Sequence, residues 1–416
     1  MRDWSRQVVV TGAGVVCNMG DDLEAIGKAL RAGNNPPFTE WPPALEMNAK
    51  CKVIGEYMGD CSDEAIGIGK KDSRFVGRAA RLAVKASRQA IAQAGLDDVS
   101  DLGVVVGSGT GDVHTHIHIQ SRLEKFHDAK KVGPTTIPKI MASTVSANLA
   151  NILKCKGPSV TATAACAGGA YNILLAAMMI ESGHMDRALA GGVEGTDVHF
   201  HAGFDAMRAY NSDDNDTPHR ASRPYAADRA GFIFGEGGGV LLLETRTSAE
   251  DRGAPILGAL RGWGMSSDGD GEMVAPSRDG ACRALKQAFA HAEIDPTQIG
   301  YVNTHGTSTP LGDVSEVNAI RDAFGDHAVP YSSTKGYTGH TISGAGAIEA
   351  IFTLLMLQGG WLAPSVNADP LDPELEDYAP IRKPTSTTMD HAISNSFGFG
   401  GTNVALVLSK RPRDAS

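Results

Sequence analysis

The sequence predicts a layered α/β fold, and three observations carry that prediction. Apolar runs of strand length recur along the chain, windows of helical periodicity separate them, and glycine-rich turns stand at the joins. A chain of 416 residues, 42% of them hydrophobic, has material for two or three domain-sized units and a large core. Its 49 glycines exceed the usual share of about 7% and call for tight turns and close backbone approaches.

The elements follow in order. Val8-Val9-Val10 running into Thr11-Gly12-Ala13-Gly14 reads as a buried strand ending in a glycine turn, and Asp21 to Ala32 then has helical periodicity. The Gly12-x-Gly14 pair lacks the third glycine of a dinucleotide-binding fingerprint, which disfavours a nucleotide site. Strands are expected over Leu102 to Val106, Ser159 to Thr163 and Arg187 to Gly191, with helices over Thr144 to Leu153 and Ala167 to Ser182. Gly237 to Glu244 reads as a closing core strand. Arg246 to Pro255 is charged and turn-rich, and a new strand begins at Ile256, which puts a boundary near residue 250. A second alternating series follows: helix Cys282 to Ala292, extended Tyr301 to Thr304, helices Val314 to Phe324 and Ile348 to Gln358, and a terminal strand Asn403 to Leu408.

Composition disfavours several classes. The first residues lack the apolar stretch and cleavage site of a secretory signal, which argues for the cytoplasm. The apolar window Ala345 to Leu357 is shorter than the roughly 20 residues of a membrane span and contains Glu349. Six scattered cysteines without C-x-x-C spacing are expected to be free thiols. A net charge of −10 argues against general nucleic-acid binding, although a local basic patch is compatible with it. His114-x-His116-x-His118 would lie on one face of a strand, and His199-x-His201 is a second pair. Neither has a fixed carboxylate or cysteine partner nearby, so no metal site is expected.

The chemistry concentrates in four segments. In Ser159-Val-Thr-Ala-Thr-Ala-Ala-Cys166-Ala-Gly-Gly-Ala-Tyr-Asn, an extended stretch turns into a helix that starts with Cys166. Unpaired N–H groups and the positive end of the helix dipole favour a nucleophilic thiolate there. A buried structural cysteine fits this segment alone equally well. Asn303-Thr-His305-Gly-Thr307-Ser-Thr309-Pro-Leu-Gly-Asp313 and Lys335-Gly-Tyr-Thr-Gly-His340-Thr-Ile-Ser-Gly-Ala-Gly-Ala-Ile-Glu349 each place a histidine at a glycine-rich strand-to-helix turn. Two histidines together with a poised cysteine favour catalysis over local hydrogen bonding. In Ser394-Asn-Ser-Phe397-Gly-Phe399-Gly-Gly-Thr-Asn403, glycines around two phenylalanines read as a flexible loop near an apolar substrate, with a β-bulge in a core strand as the plainer reading.

Together these segments resemble the β-ketoacyl-acyl carrier protein synthases, the condensing enzymes of fatty acid and polyketide synthesis, over nearly the whole chain. The resemblance implies a thiolase-like fold of two similar α/β halves in α-β-α-β-α layers, with residues 1–250 carrying the cysteine and 251–416 the two histidines. It implies decarboxylative condensation of malonyl-carrier protein with an acyl chain held on Cys166. His305 and His340 would act on the malonyl extender, Lys335 and Glu349 would form a supporting charged pair, and the N–H groups of Cys166 and Phe399 would hold the oxyanion. Thr307 and Thr309 would bind the phosphopantetheine arm, Phe397 and Phe399 would gate the acyl pocket, and Thr110 would border it. No cofactor would be permanently bound, because phosphopantetheine arrives on the carrier protein. A homodimer is implied, or a heterodimer with a related subunit. The acidic carrier needs a basic surface, for which Lys70, Lys71 and Arg74, and more loosely Lys130 and Lys131, match the family's docking region. Arg78, Arg81, Lys85 and Arg88 continue the stripe at helical spacing, and from Arg81 onward a solvated helix face is the better reading.

The competing readings are a thiolase, an acyl-thioester hydrolase and a non-catalytic carrier-binding subunit. Against the first, Asn395 to Asn403 lacks the second cysteine that thiolases use. Against the last, Cys166 is present. Ser266 to Pro276 looks like type I synthases, whereas Ser222-Arg-Pro-Tyr and Phe234-Gly-Glu-Gly look like type II.

Overall fold

The computed structural model describes residues 6–269 and 272–413, so Asp270 and Gly271 of the Ser266 to Pro276 segment lie outside the described residues. Ten strands form the central sheet: β1 (Val8–Cys17), β2 (Gly103–Gly107), β3 (Ser159–Val160), β4 (Arg187–Glu194), β5 (Gly237–Thr245), β6 (Gly258–Ser267), β7 (Ile299–Asn303), β8 (Tyr331–Ser332), β9 (His391–Gly398) and β10 (Thr402–Ser409). The main helices are α1 (Leu23–Ala32), α2 (Arg78–Gln93), α3 (Val113–Phe126), α4 (Thr144–Leu153), α5 (Gly168–Glu181), α6 (Val198–Ala206), α7 (Arg278–Ala292), α8 (Pro310–Phe324) and α9 (Ala345–Gly359).

The strand order is β8-β7-β9-β10-β6-β1-β5-β4-β2-β3. Taken outward from the centre, each half runs in the same sequence. β1 pairs antiparallel with β5, β5 antiparallel with β4, β4 parallel with β2, and β2 parallel with β3. β6, β10, β9, β7 and β8 repeat this pattern, direction for direction. The halves join where β1 meets β6 at Val9↔Ala259 and Val10↔Gly258. Parallel neighbours need crossover helices, and α4 and α5 in the first half correspond to α8 and α9 in the second.

Helices α5 and α9 touch strands of both halves and each other, which places them as a buried layer between the two five-stranded units. Their sequences show why. α9 carries apolar residues on every side, interrupted in its buried part only by Glu349 and Thr353, as befits a helix almost wholly enclosed by the protein. The apolar run also reaches one turn further back than the sequence reading had it, over Ile342–Gly359, long enough by composition to cross a membrane but 83% buried inside the protein. α2 and α4 cover the outer face of the first unit, and α7, packed by α8, covers that of the second.

Several local expectations are corrected. β1 does not end in a glycine turn: Gly12 and Gly14 lie within the strand, where α2 crosses so closely that a β-carbon would lie 2.0 Å from Ala90 O and 1.9 Å from Ala86 O. β6 repeats the device, with Gly264 facing Ala284 O of α7 at 1.9 Å from such a carbon. These glycines therefore serve helix-on-sheet packing and not a nucleotide. The turn-rich stretch after β5 begins with a short helix, Arg246–Asp251. The His114, His116 and His118 segment is helical, in α3, so alternation does not align the three, and among the described residues no metal-binding cluster occurs.

Candidate active site

Cys166 stands in a single 3-10 turn, Ala165–Ala167, between the edge strand β3 and the buried helix α5. Ala165 adopts φ 44°, a left-handed conformation costly for a side chain with a β-carbon and typical of turns that present a reactive group. The thiol is 4% exposed, and the backbone N–H groups of Phe399 and Cys166 lie against it. Burial pushes its pKa up to about 12, opposed by those N–H groups and by the charge of Lys335. Burial therefore opposes the thiolate that the helix terminus was expected to favour.

Both histidines reach the same cavity. His305 follows β7, and His340 follows the helical turn Lys335–Thr338. Their rings lie 5.3 Å apart, nearly perpendicular. The turn holding His340 is pinned by its N–H to Ile233 O at 2.7 Å and by Gly235 N–H to His340 O at 3.0 Å. Burial first, then the charge of Lys335, holds both imidazoles well below the ordinary histidine range, so they stay neutral. The Nδ1 atom of each ring is buried and has no hydrogen-bond partner among the described residues.

Lys335 is itself buried and pairs with the equally buried Glu349 of α9. Burial holds the Glu349 carboxyl above the usual carboxylate range against the pull of Lys335. The pair stands behind the cavity wall, and the lysine acts on Cys166, His305 and His340 through its field.

The cavity has a volume of about 350 Å³ and is lined by Cys166, His305, His340, Phe397, Phe399, Thr307 and Thr309, so seven predicted residues meet at one cavity. The Thr307 and Thr309 hydroxyls are 3.1 Å apart at its side. The phenylalanine segment is not a flexible loop throughout. Phe397 belongs to β9 and is buried, and only Phe399 to Gly401 form the hairpin turn, with Phe399 37% exposed. Thr110 is not among the lining residues. Its hydroxyl donates to Glu194 at 3.2 Å.

On the surface, Lys70 and Lys71 open a single helical turn, with Arg74 at its end, and all three are exposed. Further along the stripe the charges are engaged: Arg78 with buried Glu236 at 2.6 Å, Arg81 with Asp63 at 2.7 Å, Lys85 with Asp21 at 2.6 Å. Lys130 and Lys131 are exposed in a separate turn beside α3.

Sequence reasoning missed Glu316. It is 4% exposed on α8 and accepts from His305 N–H at 2.8 Å, Gly306 N–H at 2.7 Å and Asn395 Nδ2 at 3.0 Å, which fixes the histidine turn. Asp313, one turn earlier on the same face, does the same for Ser308 N–H at 3.1 Å. The available signal was two carboxylates three residues apart on a helix just after a glycine-rich turn. The apolar wall of Phe204, Phe232, Met273, Val274 and Leu311 was also not legible.

Residues 5–249 match the family model described as Beta-ketoacyl synthase, N-terminal domain, and residues 257–369 match that described as Beta-ketoacyl synthase, C-terminal domain. The 3-oxoacyl-[acyl-carrier-protein] synthase 1 of Haemophilus influenzae is 40% identical over 410 residues, covering 97% of this chain and 99% of that protein. The 3-oxoacyl-[acyl-carrier-protein] synthase 2 of Vibrio cholerae is 37% identical over 418 residues, covering 97% and 99%. Among solved structures, a β-ketoacyl synthase from Burkholderia phymatum superposes with a TM-score of 0.91 at 33% identity, covering 97% of this chain and 99% of that one.

Proposed function

The chain belongs to the β-ketoacyl synthase family, and on that premise we propose that it condenses malonyl-acyl carrier protein with an acyl chain held on Cys166. One observation carries this reading: Cys166, His305 and His340 converge on one cavity, with the N–H groups of Cys166 and Phe399 at the thiol.

The reaction proceeds in two transfers. The Cys166 sulfur attacks the carbonyl of an incoming acyl thioester, the bond to the carrier sulfur breaks, and the Cys166 proton passes to that sulfur, which leaves as the carrier thiol with the acyl group on Cys166. The N–H groups of Cys166 and Phe399 stabilise the tetrahedral oxyanion. Malonyl-carrier protein then occupies the channel. Its carbon–carbon bond to carboxylate breaks, carbon dioxide leaves, and the electron pair forms an enolate whose oxygen receives hydrogen bonds from neutral His305 and His340. The enolate carbon attacks the acyl-Cys166 carbonyl, the carbon–sulfur bond breaks, and the β-ketoacyl product stays on the carrier. Lys335 favours the departing thiolate, which lies in the field of its charge.

In this reading the phosphopantetheine arm belongs to the carrier and runs past Thr307 and Thr309. Lys70, Lys71 and Arg74, supported by Lys130 and Lys131, meet the carrier's acidic face. Among the described residues no carboxylate pairs with Lys70, Lys71 or Arg74. The short exposed edge strand β3 leads straight into the Cys166 turn, and an uncovered edge is a ready template for pairing with a second copy, which supports a homodimer. A cytoplasmic location and a fatty acid or type II polyketide pathway complete the proposal.

The test is incubation with malonyl-carrier protein and a panel of acyl-carrier proteins, with products read by mass spectrometry. Wild type yields β-ketoacyl-carrier two carbons longer, and Cys166→Ala yields none. Free acid without elongation would favour a hydrolase instead.

A further inference from the structure

The duplicated halves each turn sharply into their buried helix. In the first half, Ala165 at φ 44° precedes Cys166 and α5. In the second, Ile342 at φ 46° precedes Ser343 and α9, with a 3-10 turn at the same place, Ile342–Gly344. A β-branched residue is costly in that region, so the second turn is held in shape by its surroundings as firmly as the first. The Cys166 turn packs against the end of β9, and the Ser343 turn packs against the end of β4, the strand equivalent to β9.

What stands at the two strand ends differs. β9 ends in Gly398, where a β-carbon would lie 2.7 Å from Ala164 O and 3.3 Å from Ala167 N, so no side chain can stand between this strand end and the first turn. β4 ends in Glu194, which is 1% exposed. Its carboxylate accepts from Gly109 N–H at 2.8 Å, the Thr110 hydroxyl at 3.2 Å and, more loosely, Ser343 N–H at 3.4 Å. Ser343 in turn meets the start of the catalytic helix: a β-carbon at Gly168 would lie 2.5 Å from Ser343 Oγ.

We propose that the Ser343 turn is a second copy of the oxyanion-binding turn, permanently filled by the protein's own Glu194, and that Glu194 is a positioning residue for Cys166. It acts in two ways. Its hydrogen bonds tie the Gly109-Thr110 segment of one half to the Ser343 turn of the other, which braces Gly168 and the helix behind the nucleophile. Burial pushes the Glu194 pKa up to about 7, so at the assay pH of 8 the ionised carboxylate opposes the charge of Lys335 at the thiol. With the second turn filled, the first is the elbow that faces the cavity of Cys166.

The inference rests on Cys166 being the acyl acceptor, and its test separates the two claims. Glu194→Gln preserves shape and an acceptor oxygen while removing charge. Alkylation of Cys166 by iodoacetamide at pH 8, localised by peptide mass spectrometry, is compared with condensation on the same preparation. Alkylation is expected to rise about three- to tenfold, the effect of one like charge removed from beside a thiol. Condensation kcat is expected to fall by about tenfold while KM for the acyl carrier changes little. Glu194→Asp recovers part of kcat. Glu194→Ala empties the turn, and added formate, but not chloride, restores kcat in a saturable way. Equal alkylation of wild type and the glutamine variant, or a parallel fall of both readouts, overturns the proposal. Retained elongation in Cys166→Ala would instead overturn the assignment of the nucleophile, and the alkylation result would still stand on its own.

Discussion

Replacing Glu316 with glutamine tests how the histidine turn is held. The carboxylate receives three buried hydrogen bonds, from His305 N–H at 2.8 Å, Gly306 N–H at 2.7 Å and Asn395 Nδ2 at 3.0 Å. Oε1 takes the first and third, and Oε2 takes Gly306. A glutamine whose oxygen replaces Oε1 keeps two bonds but turns an NH₂ donor toward the Gly306 donor. One charge-assisted bond is lost, about 1.5 to 3 kcal/mol, and a buried N–H is left unpaired, about 1 to 3 kcal/mol more, so the destabilisation comes to about 2.5 to 6 kcal/mol. The turn then moves and carries His305 with it, and in the proposed reaction a misplacement of about 1 Å costs on the order of a hundredfold. The assays are urea unfolding, single-turnover acylation of Cys166, and malonyl decarboxylation. Acylation stays within a few-fold of wild type, decarboxylation falls about a hundredfold, and Glu316→Gln adds nothing further to His305→Ala. Unchanged decarboxylation, or an equal loss in acylation, would refute the claim that Glu316 works through His305.

Because burial and Lys335 lower both histidine pKa values, the neutral forms persist below the pH at which an exposed imidazole takes its proton. Decarboxylation is therefore expected to stay flat as pH falls through about 6.5, and a half-loss there would contradict the placement. Gly14→Ala puts a β-carbon 1.9 Å from Ala86 O, so α2 must lift from β1, and a loss of stability of about 3 kcal/mol or more is expected in chemical unfolding. Lys71→Glu with Arg74→Glu raises KM for carrier protein about tenfold at low salt, with the difference shrinking as salt rises, while acylation from a small acyl thioester is unaffected.

The elements and chemistry-bearing segments were legible because their signals are local. Apolar periodicity marked α4 at both ends, and the glycine-flanked Cys166, His305 and His340 turns announced themselves within a dozen residues. Strand ends were less legible: β1 was cut short at Gly12 and Gly14 because a glycine in a strand looks like a turn until the crossing helix is seen. β3 was expected to be longer than its two paired residues.

The sequence by itself determined the fold class, the alternating elements and the reactive residue types, since these depend on neighbours a few positions away. Tertiary structure alone decided the rest. It raised the Cys166 pKa by burial against the helix dipole, gave the Thr110 hydroxyl to Glu194, and placed Glu316 behind His305 and Glu194 behind Ser343. Each of these depends on contacts between residues far apart in the chain, where desolvation and hydrogen-bond geometry are set by which strand ends meet.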